Sequence, residues 1–143
     1  MPDGGERVLL VDDESAMRAV CRLNLEMEGF DVLEAAEGEQ ALALALRERP
    51  DLVLLDVMLP LMNGYEVARR LQANPATTRI PVVFMTALAT GDDRKRGFEA
   101  GGVGYIVKPF DPVSLGENIR QTLGRIERGE REELRQELLL ERT

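Results

Sequence analysis

Short apolar segments alternate along the chain with longer segments in which apolar residues recur at helical spacing. The short segments are rich in branched aliphatic residues and predict buried strands at residues 7–11, 31–34, 51–55, 80–85 and 105–107. The longer segments predict helices at residues 14–28, 38–49, 64–73 and 92–100, and a last helix that opens at Pro112 or Val113. Strict alternation of strands and helices predicts an α/β fold, a doubly wound five-stranded parallel sheet with helices on both faces.

The last part of the chain has a different composition. Gly129 interrupts the final helical pattern, and residues 130–143 are dense in Glu and Arg. Leu134, Leu138 and Leu139 keep only a thin apolar stripe. We expect a solvated, partly frayed helix end here. The alternative is a coiled-coil stub that dimerises or leads to an output domain.

The bulk composition fits one domain. The 143 residues are 44% hydrophobic, which is enough for one compact core. The formal net charge is −8 and no Lys/Arg-rich stripe is present, which argues against a nucleic-acid surface, since phosphate contacts need clustered positive charge. The sequence shows neither a signal peptide nor an apolar stretch near the roughly 18 residues of a membrane span. We therefore expect a cytoplasmic protein with no membrane contact and no direct binding to nucleic acid.

The side chains that the chain lacks narrow its chemistry. There is no histidine, so the chain cannot carry a phosphohistidine of its own, use an imidazole base or build a histidine metal site. Cys21 is the single cysteine, which excludes an intramolecular disulfide and makes zinc an unsuitable metal. The remaining ligands are oxygens, which favour Mg²⁺, with Mn²⁺ or Ca²⁺ as alternatives.

Chemically active side chains follow four of the predicted strands. Asp12 and Asp13 follow the first strand, Asp56 the third, Thr86 the fourth and Lys108 the fifth. Parallel strands bring their carboxyl ends to one edge of the sheet, where binding sites form in open α/β folds. Each residue alone has an ordinary explanation; the two neighbouring aspartates, for instance, could cap the first helix. Together they predict one site, in which three crowded carboxylates require a divalent cation such as Mg²⁺.

Four motifs resemble the receiver domain of two-component response regulators. In chain order they are VLLVDDE at residues 8–14, DVMLP at 56–60 with GYE at 64–66, MTA at 85–87 and KPF at 108–110. The resemblance extends from about Arg7 to Leu123 and implies a flavodoxin-like fold with strand order 2-1-3-4-5. We divide the chain accordingly into a disordered segment at 1–6, a receiver domain at 7–127 and a charged helical tail or linker stub at 128–143.

The resemblance implies a nucleophile and a set of metal ligands. Asp56 would accept a phosphoryl group from a phosphohistidine, with its carboxylate as the nucleophile. Asp13 would bind Mg²⁺ directly and Asp12 mainly through water. Asp56 and the backbone carbonyl of Met58 would complete the protein ligands. Such a domain is not an ordinary enzyme, because it catalyses only its own aspartyl phosphorylation and dephosphorylation.

The resemblance also implies how the phosphorylated state is sensed and by which partners. Lys108 would bind a phosphoryl oxygen, Thr86 would hydrogen-bond the phosphoryl group, and Tyr105 would turn inward as a switch. The phosphoryl donor would be a sensor histidine kinase or a histidine phosphotransfer protein, docked on the first helix. The phosphorylated domain would control a downstream output domain or protein. A homodimer through the fourth helix, fifth strand and fifth helix is a further expectation.

Two details are specific to this chain. Met58 and Leu88 lie two residues beyond Asp56 and Thr86, at positions where the family controls the access of water to the acyl phosphate. Both are large and apolar, so we expect a slowly hydrolysed phospho-form. Residues 102–104, Gly-Val-Gly, depart from the acidic or amide pair that the family commonly has at the start of the fifth strand. This departure puts the dimer or partner surface in doubt.

Other classes of protein fit the sequence less well. A flavodoxin-like ligand binder would need a phosphate loop rich in Ser, Thr and Gly after the first strand, where this chain has Asp-Asp-Glu-Ser. A phosphatase that works through an aspartyl phosphate would carry a second carboxylate where this chain has Met58. The alternative that stays open is an interaction module that signals mainly through protein contacts, with phosphorylation secondary.

Overall fold

The structure is a computed structural model and describes residues 5–140 of the chain. Most of the segment at 1–6 that we expect to be disordered lies outside these residues. In chain order the elements are β1 (Arg7–Val11), α1 (Ser15–Met27), β2 (Asp31–Ala35), α2 (Gly38–Glu48), β3 (Leu52–Asp56), α3 (Gly64–Ala73), β4 (Val82–Thr86), α4 (Gly91–Glu99), β5 (Gly104–Val107), a 3₁₀ turn (Pro112–Ser114), α5 (Leu115–Glu127) and α6 (Arg131–Leu139).

The strands form one parallel sheet in the order β2-β1-β3-β4-β5, which confirms the predicted fold. Strand β1 lies between β2 and β3, and the sheet continues from β3 through β4 to β5. Strand β3 is therefore the central strand, with β1 beside it. The register pairs Val11 with Leu55 and Thr86 with Val107. The residues that follow these strands therefore emerge at the same edge of the sheet.

Two cores lie on opposite faces of the sheet, because successive residues of a strand point to opposite sides. The core under α2 and α3 contains Leu9, Val11, Val53, Leu55, Val82 and Phe84. The core under α1 and α5 contains Val8, Leu10, Leu52, Leu54, Val83 and Met85. Helices thus cover both faces, as predicted. In the described part of the chain no helix has the length and apolar character needed to cross a bilayer.

The observed boundaries differ from the predicted ones by one or two residues. Strand β3 begins at Leu52 rather than at Asp51, whose carboxylate accepts a hydrogen bond from the backbone N–H of Arg7. Helix α2 ends at Glu48, because the residue before Pro50 is kept out of the right-handed helical region. Arg49 caps the helix in a left-handed conformation with φ of 49°. The shift in β3 makes Asp56 the last residue of the strand instead of the first residue of the loop.

The C-terminal segment differs from the solvated, frayed helix end that the sequence favours. After a turn at Gly129, the chain forms α6 and packs it against α4, β5 and α5. Leu134 and Leu138 are buried in this contact, whereas Leu139 is exposed. The thin apolar stripe is therefore sufficient to dock the helix, because it faces a surface that three separate elements build together.

Candidate functional site

The predicted site residues meet at the carboxyl edge of the sheet. Asp12 follows β1 and is fully buried, Asp56 ends β3 and is buried, and Asp13 is exposed beside them. A carboxylate oxygen from each of the three lies within 4.8 Å of the others. The Asp12 carboxylate also accepts a hydrogen bond at 2.9 Å from the backbone N–H of Glu14. This bond stabilises the turn that precedes α1.

Lys108 lies between the two buried carboxylates. Its Nζ is 3.0 Å from Asp12 Oδ2 and 3.0 Å from Asp56 Oδ2. Burial alone would lower the pKa of the ammonium, but hydrogen bonds to the two carboxylates outweigh it and raise the pKa. The side chain therefore stays charged at neutral pH. Its backbone N–H donates to the carbonyl of Thr86 at 2.8 Å, and the Lys108–Pro109 peptide is cis.

The carboxyl group of Asp56 is in a partly desolvated position. Burial raises its pKa above the usual range of an aspartate, while the N–H of Met58 and the ammonium of Lys108 oppose that rise. The Met58 N–H donates to Asp56 Oδ1 at 3.0 Å, so each carboxylate oxygen has one donor. A carboxylate held in this way is fixed in orientation and less solvated than an exposed one, which favours reaction as a nucleophile.

The backbone around Asp56 depends on a glycine. A Cβ placed on Gly64 would lie 2.4 Å from the carbonyl oxygen of Asp56, closer than any real contact. Gly64 also donates its N–H to the carbonyl of Val57 at 2.8 Å, and Asn63 caps α3 by accepting from the N–H of Glu66. The loop after β3 is therefore drawn back against the strand, and this places Met58 beside the carboxylate of Asp56.

Thr86 ends β4 at the same edge of the sheet, and Tyr105 lies inside the neighbouring strand β5, opposite Phe84. Thr86 is fully buried, and its Oγ1 accepts a hydrogen bond from the N–H of Leu88 at 3.2 Å. The half-buried ring of Tyr105 packs against Phe84, with ring centroids 6.0 Å apart. The Tyr105 hydroxyl is 2.7 Å from that of Tyr65, and burial raises the pKa of both hydroxyls, so both stay protonated at neutral pH.

The sequence reasoning assigned no role to the neighbours of Tyr105. The rings of Tyr65, Phe84 and Tyr105 form a row, with Tyr65 and Phe84 edge-to-face at 5.2 Å. The guanidinium of Arg94 lies 4.9 Å from the Tyr105 ring, and that of Arg96 lies 4.8 Å from the Tyr65 ring, so α4 closes both ends of the row. The Gly-Tyr-Glu motif at residues 64–66 marked Tyr65 in the sequence, but a motif does not show which residues the tyrosine ring contacts.

The charges at the sheet edge fit a hard divalent cation. Three carboxylates against the one ammonium of Lys108 leave a formal charge of two negatives in a largely buried cluster. Burying such charge is costly unless a cation compensates it. The candidate metal ligands in this cluster are all carboxylate oxygens, the type of ligand that Mg²⁺ prefers. The acidic site is therefore suited to Mg²⁺, with Mn²⁺ as a chemically similar alternative.

A doubly wound sheet with three carboxylates, a hydroxyl and an ammonium at its carboxyl edge defines an α/β domain with an acidic site suited to a divalent metal. Residues 8–120 match the family model described as the response regulator receiver domain. This chain belongs to that family, and is therefore a signalling domain of two-component systems rather than a conventional enzyme.

Curated relatives support the family assignment. The transcriptional regulator RpaA of Synechocystis, described as DNA-binding, is 40% identical over 122 residues, which cover 85% of this chain and 51% of RpaA. The phosphate regulon regulator PhoB of Pseudomonas aeruginosa is 41% identical over 128 residues, which cover 90% of this chain and 56% of PhoB. The chain thus spans about half the length of these relatives.

Solved structures agree in fold over nearly their full length. The chemotaxis response regulator CheY4 of Vibrio cholerae superposes with a TM-score of 0.77 at 30% identity, covering 82% of this chain and 98% of CheY4. The receiver domain of the sensor histidine kinase PA1611 from Pseudomonas aeruginosa gives a TM-score of 0.77 at 33% identity, covering 85% of this chain and 99% of that domain. In the PA1611 structure, a magnesium ion is coordinated in the active-site cleft.

Proposed function

We propose that Asp56 is the phosphoryl acceptor of this receiver domain and that its phosphorylation switches the domain between two conformations. The observation that carries the proposal is the setting of the Asp56 carboxylate. It is buried at the sheet edge, held by the Met58 N–H and by Lys108, and lies within 4.8 Å of two further carboxylates. A structural carboxylate would need only the first of these three features.

The proposed reaction needs no general base from the chain. A carboxylate oxygen of Asp56 attacks the phosphorus of a phosphohistidine on a sensor kinase or phosphotransfer protein. The P–N bond breaks, and its electron pair returns to the imidazole nitrogen, which takes up a proton. Lys108, already within 3.0 Å of Asp56, would move to a phosphoryl oxygen and balance part of its charge.

The metal ligands are proposed from the same cluster. Asp12, Asp13, Asp56 and the backbone carbonyl of Met58 would hold Mg²⁺. When bound, the ion supplies positive charge against the phosphoryl oxygens. The chain's own contribution is position, because Asp12 and Asp56 are buried and held by backbone N–H groups of Glu14 and Met58.

The conformational response is proposed to pass through Thr86 and Tyr105. The Thr86 hydroxyl would hydrogen-bond the phosphoryl group, and the Tyr105 ring would respond because both residues lie at the α4 side of the site. Such a switch is a population shift, in which phosphorylation adds interactions available to one conformer only. The output domain or protein, the kinase contact on α1, the cytoplasmic location and the absence of direct nucleic-acid binding stay predictions.

Intact mass spectrometry tests the proposal directly. The protein is incubated with acetyl phosphate, with and without Mg²⁺, beside Asp56→Asn and the control Asp31→Asn, an exposed aspartate at the opposite end of the sheet. We expect a gain of about 80 Da, one phosphoryl group, that requires Mg²⁺ and is lost only in Asp56→Asn. If the wild type also fails with a phosphohistidine donor, Asp56 is not the acceptor and signalling through protein contacts becomes the better account.

A further inference from the structure

Helix α6 covers the surface formed by α4, β5 and α5, which we call the α4–β5–α5 face. The chain reverses direction at Gly129, where φ is 81°, and α6 then runs back across this face. Leu134 and Leu138 are one helical turn apart and only 9% and 4% exposed. They line a space of about 190 Å³ together with Val103 before β5 and Thr122 of α5, among others. Leu134 belongs to the same apolar cluster as Val103, Leu115 and Ile119, so the contact is not a chance approach of charged helices.

A single arginine fixes α6 to the end of α4. The guanidinium of Arg135 donates to the carbonyls of Phe98 and Gly102, at 3.2 and 2.9 Å, and lies 4.2 Å from the Phe98 ring. The carbonyls at a helix C-terminus lack partners within the helix and carry partial negative charge. Arg135 therefore acts as a C-terminal cap that α6 supplies to α4.

Ion pairs join α6 to α5 and fix its direction. Arg125 of α5 forms a two-pronged contact with Glu137 at 2.8 and 2.7 Å and also reaches Glu130 at 2.8 Å. Arg131, at the start of α6, donates to the carbonyl of Arg79 at 3.0 Å. Exposed ion pairs add little stability each, but paired in this way they specify one orientation of the helix.

The seat of α6 coincides with the place where the chain departs from the family pattern. Gly102 accepts the hydrogen bond from Arg135, and Val103 and Gly104 line the space under Leu134 and Leu138. A Cβ on Gly102 would lie 2.5 Å from the Phe84 ring, so a side chain there would displace the core. Tyr105 lines the same space, and the face beneath α6 is therefore continuous with the proposed switch.

We propose that α6 is an intramolecular ligand that closes the α4–β5–α5 face against a second copy of this chain. Release of α6 would uncover Val103 and the ring of Phe98 amid charges of both signs. Helix α4 has Asp92 and Asp93 in its first turn and Arg96 in its last. In a twofold dimer the same patch meets itself, and an antiparallel pair of α4 helices would place acidic residues against basic ones. The proposal holds or fails whether or not Asp56 accepts a phosphoryl group.

Glutamate substitution in the full-length chain tests this closure. Glutamate has nearly the helix propensity of leucine, so Leu134→Glu/Leu138→Glu opposes docking without opposing the helix itself. Leu139→Glu is the matched control, because Leu139 lies on the same helix but is exposed. Sedimentation velocity gives the oligomeric state, and hydrogen exchange read by mass spectrometry gives the protection of α6 and of the core strands.

We expect the wild type and Leu139→Glu to be monomers with protected α6 amides. In the double variant, α6 should exchange about tenfold faster or more while β1 and β3 keep their protection, and the chain should form a dimer at tens of micromolar. Adding Asp92→Arg should weaken that dimer about tenfold, since it sets positive charge against positive charge.

Four results would overturn the proposal. Unchanged protection of α6 in the double variant would show that the two leucines do not hold the helix. A released α6 in a chain that stays monomeric at about 100 µM would show that the face does not bind a second copy. A dimer that forms in the wild type with α6 protected, or one that Asp92→Arg leaves unaffected, would place the association on another surface.

Discussion

The hydroxyls of Tyr65 and Tyr105 lie 2.7 Å apart, and Tyr65 also donates to the backbone carbonyl of Asp93 at 3.0 Å. The Tyr65 hydroxyl donates its only proton to the Asp93 carbonyl. The hydroxyl of Tyr105 is therefore the donor in the hydrogen bond between the two tyrosines. Tyr65 stands in the first turn of α3, directly after the loop that positions Asp56. The pair therefore connects the first turn of α3 to β5 and α4 through one short chain of hydrogen bonds.

A double-mutant cycle on this pair should reveal coupling. Tyr65→Phe and Tyr105→Phe each keep the ring but remove the shared hydrogen bond, at a cost of about 0.5–1.5 kcal/mol in the free energy of unfolding. Tyr65→Phe should cost more, since it also loses the bond to Asp93. Urea unfolding of the wild type, both single variants and the double variant should give a coupling of about 0.5–1 kcal/mol. Strictly additive costs would show that the two hydroxyls do not interact in solution.

Asp13 should control the stabilisation of the fold by magnesium. A ligand that binds only the folded state stabilises it by RT ln(1 + [L]/Kd), about 1.4 kcal/mol at tenfold excess over Kd. Asp13 is exposed, so Asp13→Asn should leave stability in EDTA unchanged or raise it by relieving repulsion from Asp12 and Asp56. Thermal unfolding with and without Mg²⁺ should show the increase in Tm in the wild type and in Asp31→Asn, and largely lose it in Asp13→Asn. An equal increase in all three proteins would exclude Asp13 as a ligand.

The phospho-form should be long-lived. Met58 is 60% exposed, and with Leu88 it lines a surface pocket of about 380 Å³ next to the Asp56 loop. Apolar side chains here offer no hydrogen bond to an attacking water, so we expect a half-life of minutes or longer in Mg²⁺ buffer. Met58→Asn should shorten it about tenfold, which corresponds to about 1.4 kcal/mol in the barrier to hydrolysis.

The decay of the added mass over time measures this lifetime. Leu61→Asn is the control, because Leu61 lies in the same loop but is almost fully exposed and does not line the pocket. It should leave the half-life unchanged. A wild-type half-life of only seconds would contradict the proposed role of the apolar side chains, as would equal effects of the two substitutions.

The strands and the acidic edge could be predicted because their signals are local. Apolar runs mark the strands, and the polar residue after each run falls at the carboxyl edge of any parallel sheet. The contacts of Tyr65 and Leu134 could not be predicted in the same way. The partner of Tyr65 is 40 residues away, and the seat of Leu134 is built by three elements together. Residues 102–104 did carry a signal, since their departure from the family pattern pointed to the face that α6 covers.

Cys21 should be chemically inert while the domain is folded. It lies on the buried face of α1, and burial raises the pKa of the thiol to about 11, with Asp12 adding to the rise and Lys108 opposing it. At pH 8 only about one thiol in a thousand is then ionised, and the thiolate is the reactive form. Alkylation of the native protein should be at least about a hundredfold slower than alkylation of the urea-unfolded chain.

The pH dependence of the alkylation rate distinguishes two reasons for slow reaction of Cys21: a raised thiol pKa, and exclusion of the reagent from the buried side chain. Below its raised pKa, the native thiol should react tenfold faster for each unit of pH, with no plateau through pH 10, whereas the unfolded chain should level off near the ordinary pKa of about 8.5. Iodoacetamide labelling followed by mass spectrometry measures both rates. Rapid, stoichiometric labelling of the native protein at pH 8 would mean that α1 opens readily, and the core of Val8, Leu10 and Leu25 around Cys21 would then be less stable than its packing indicates.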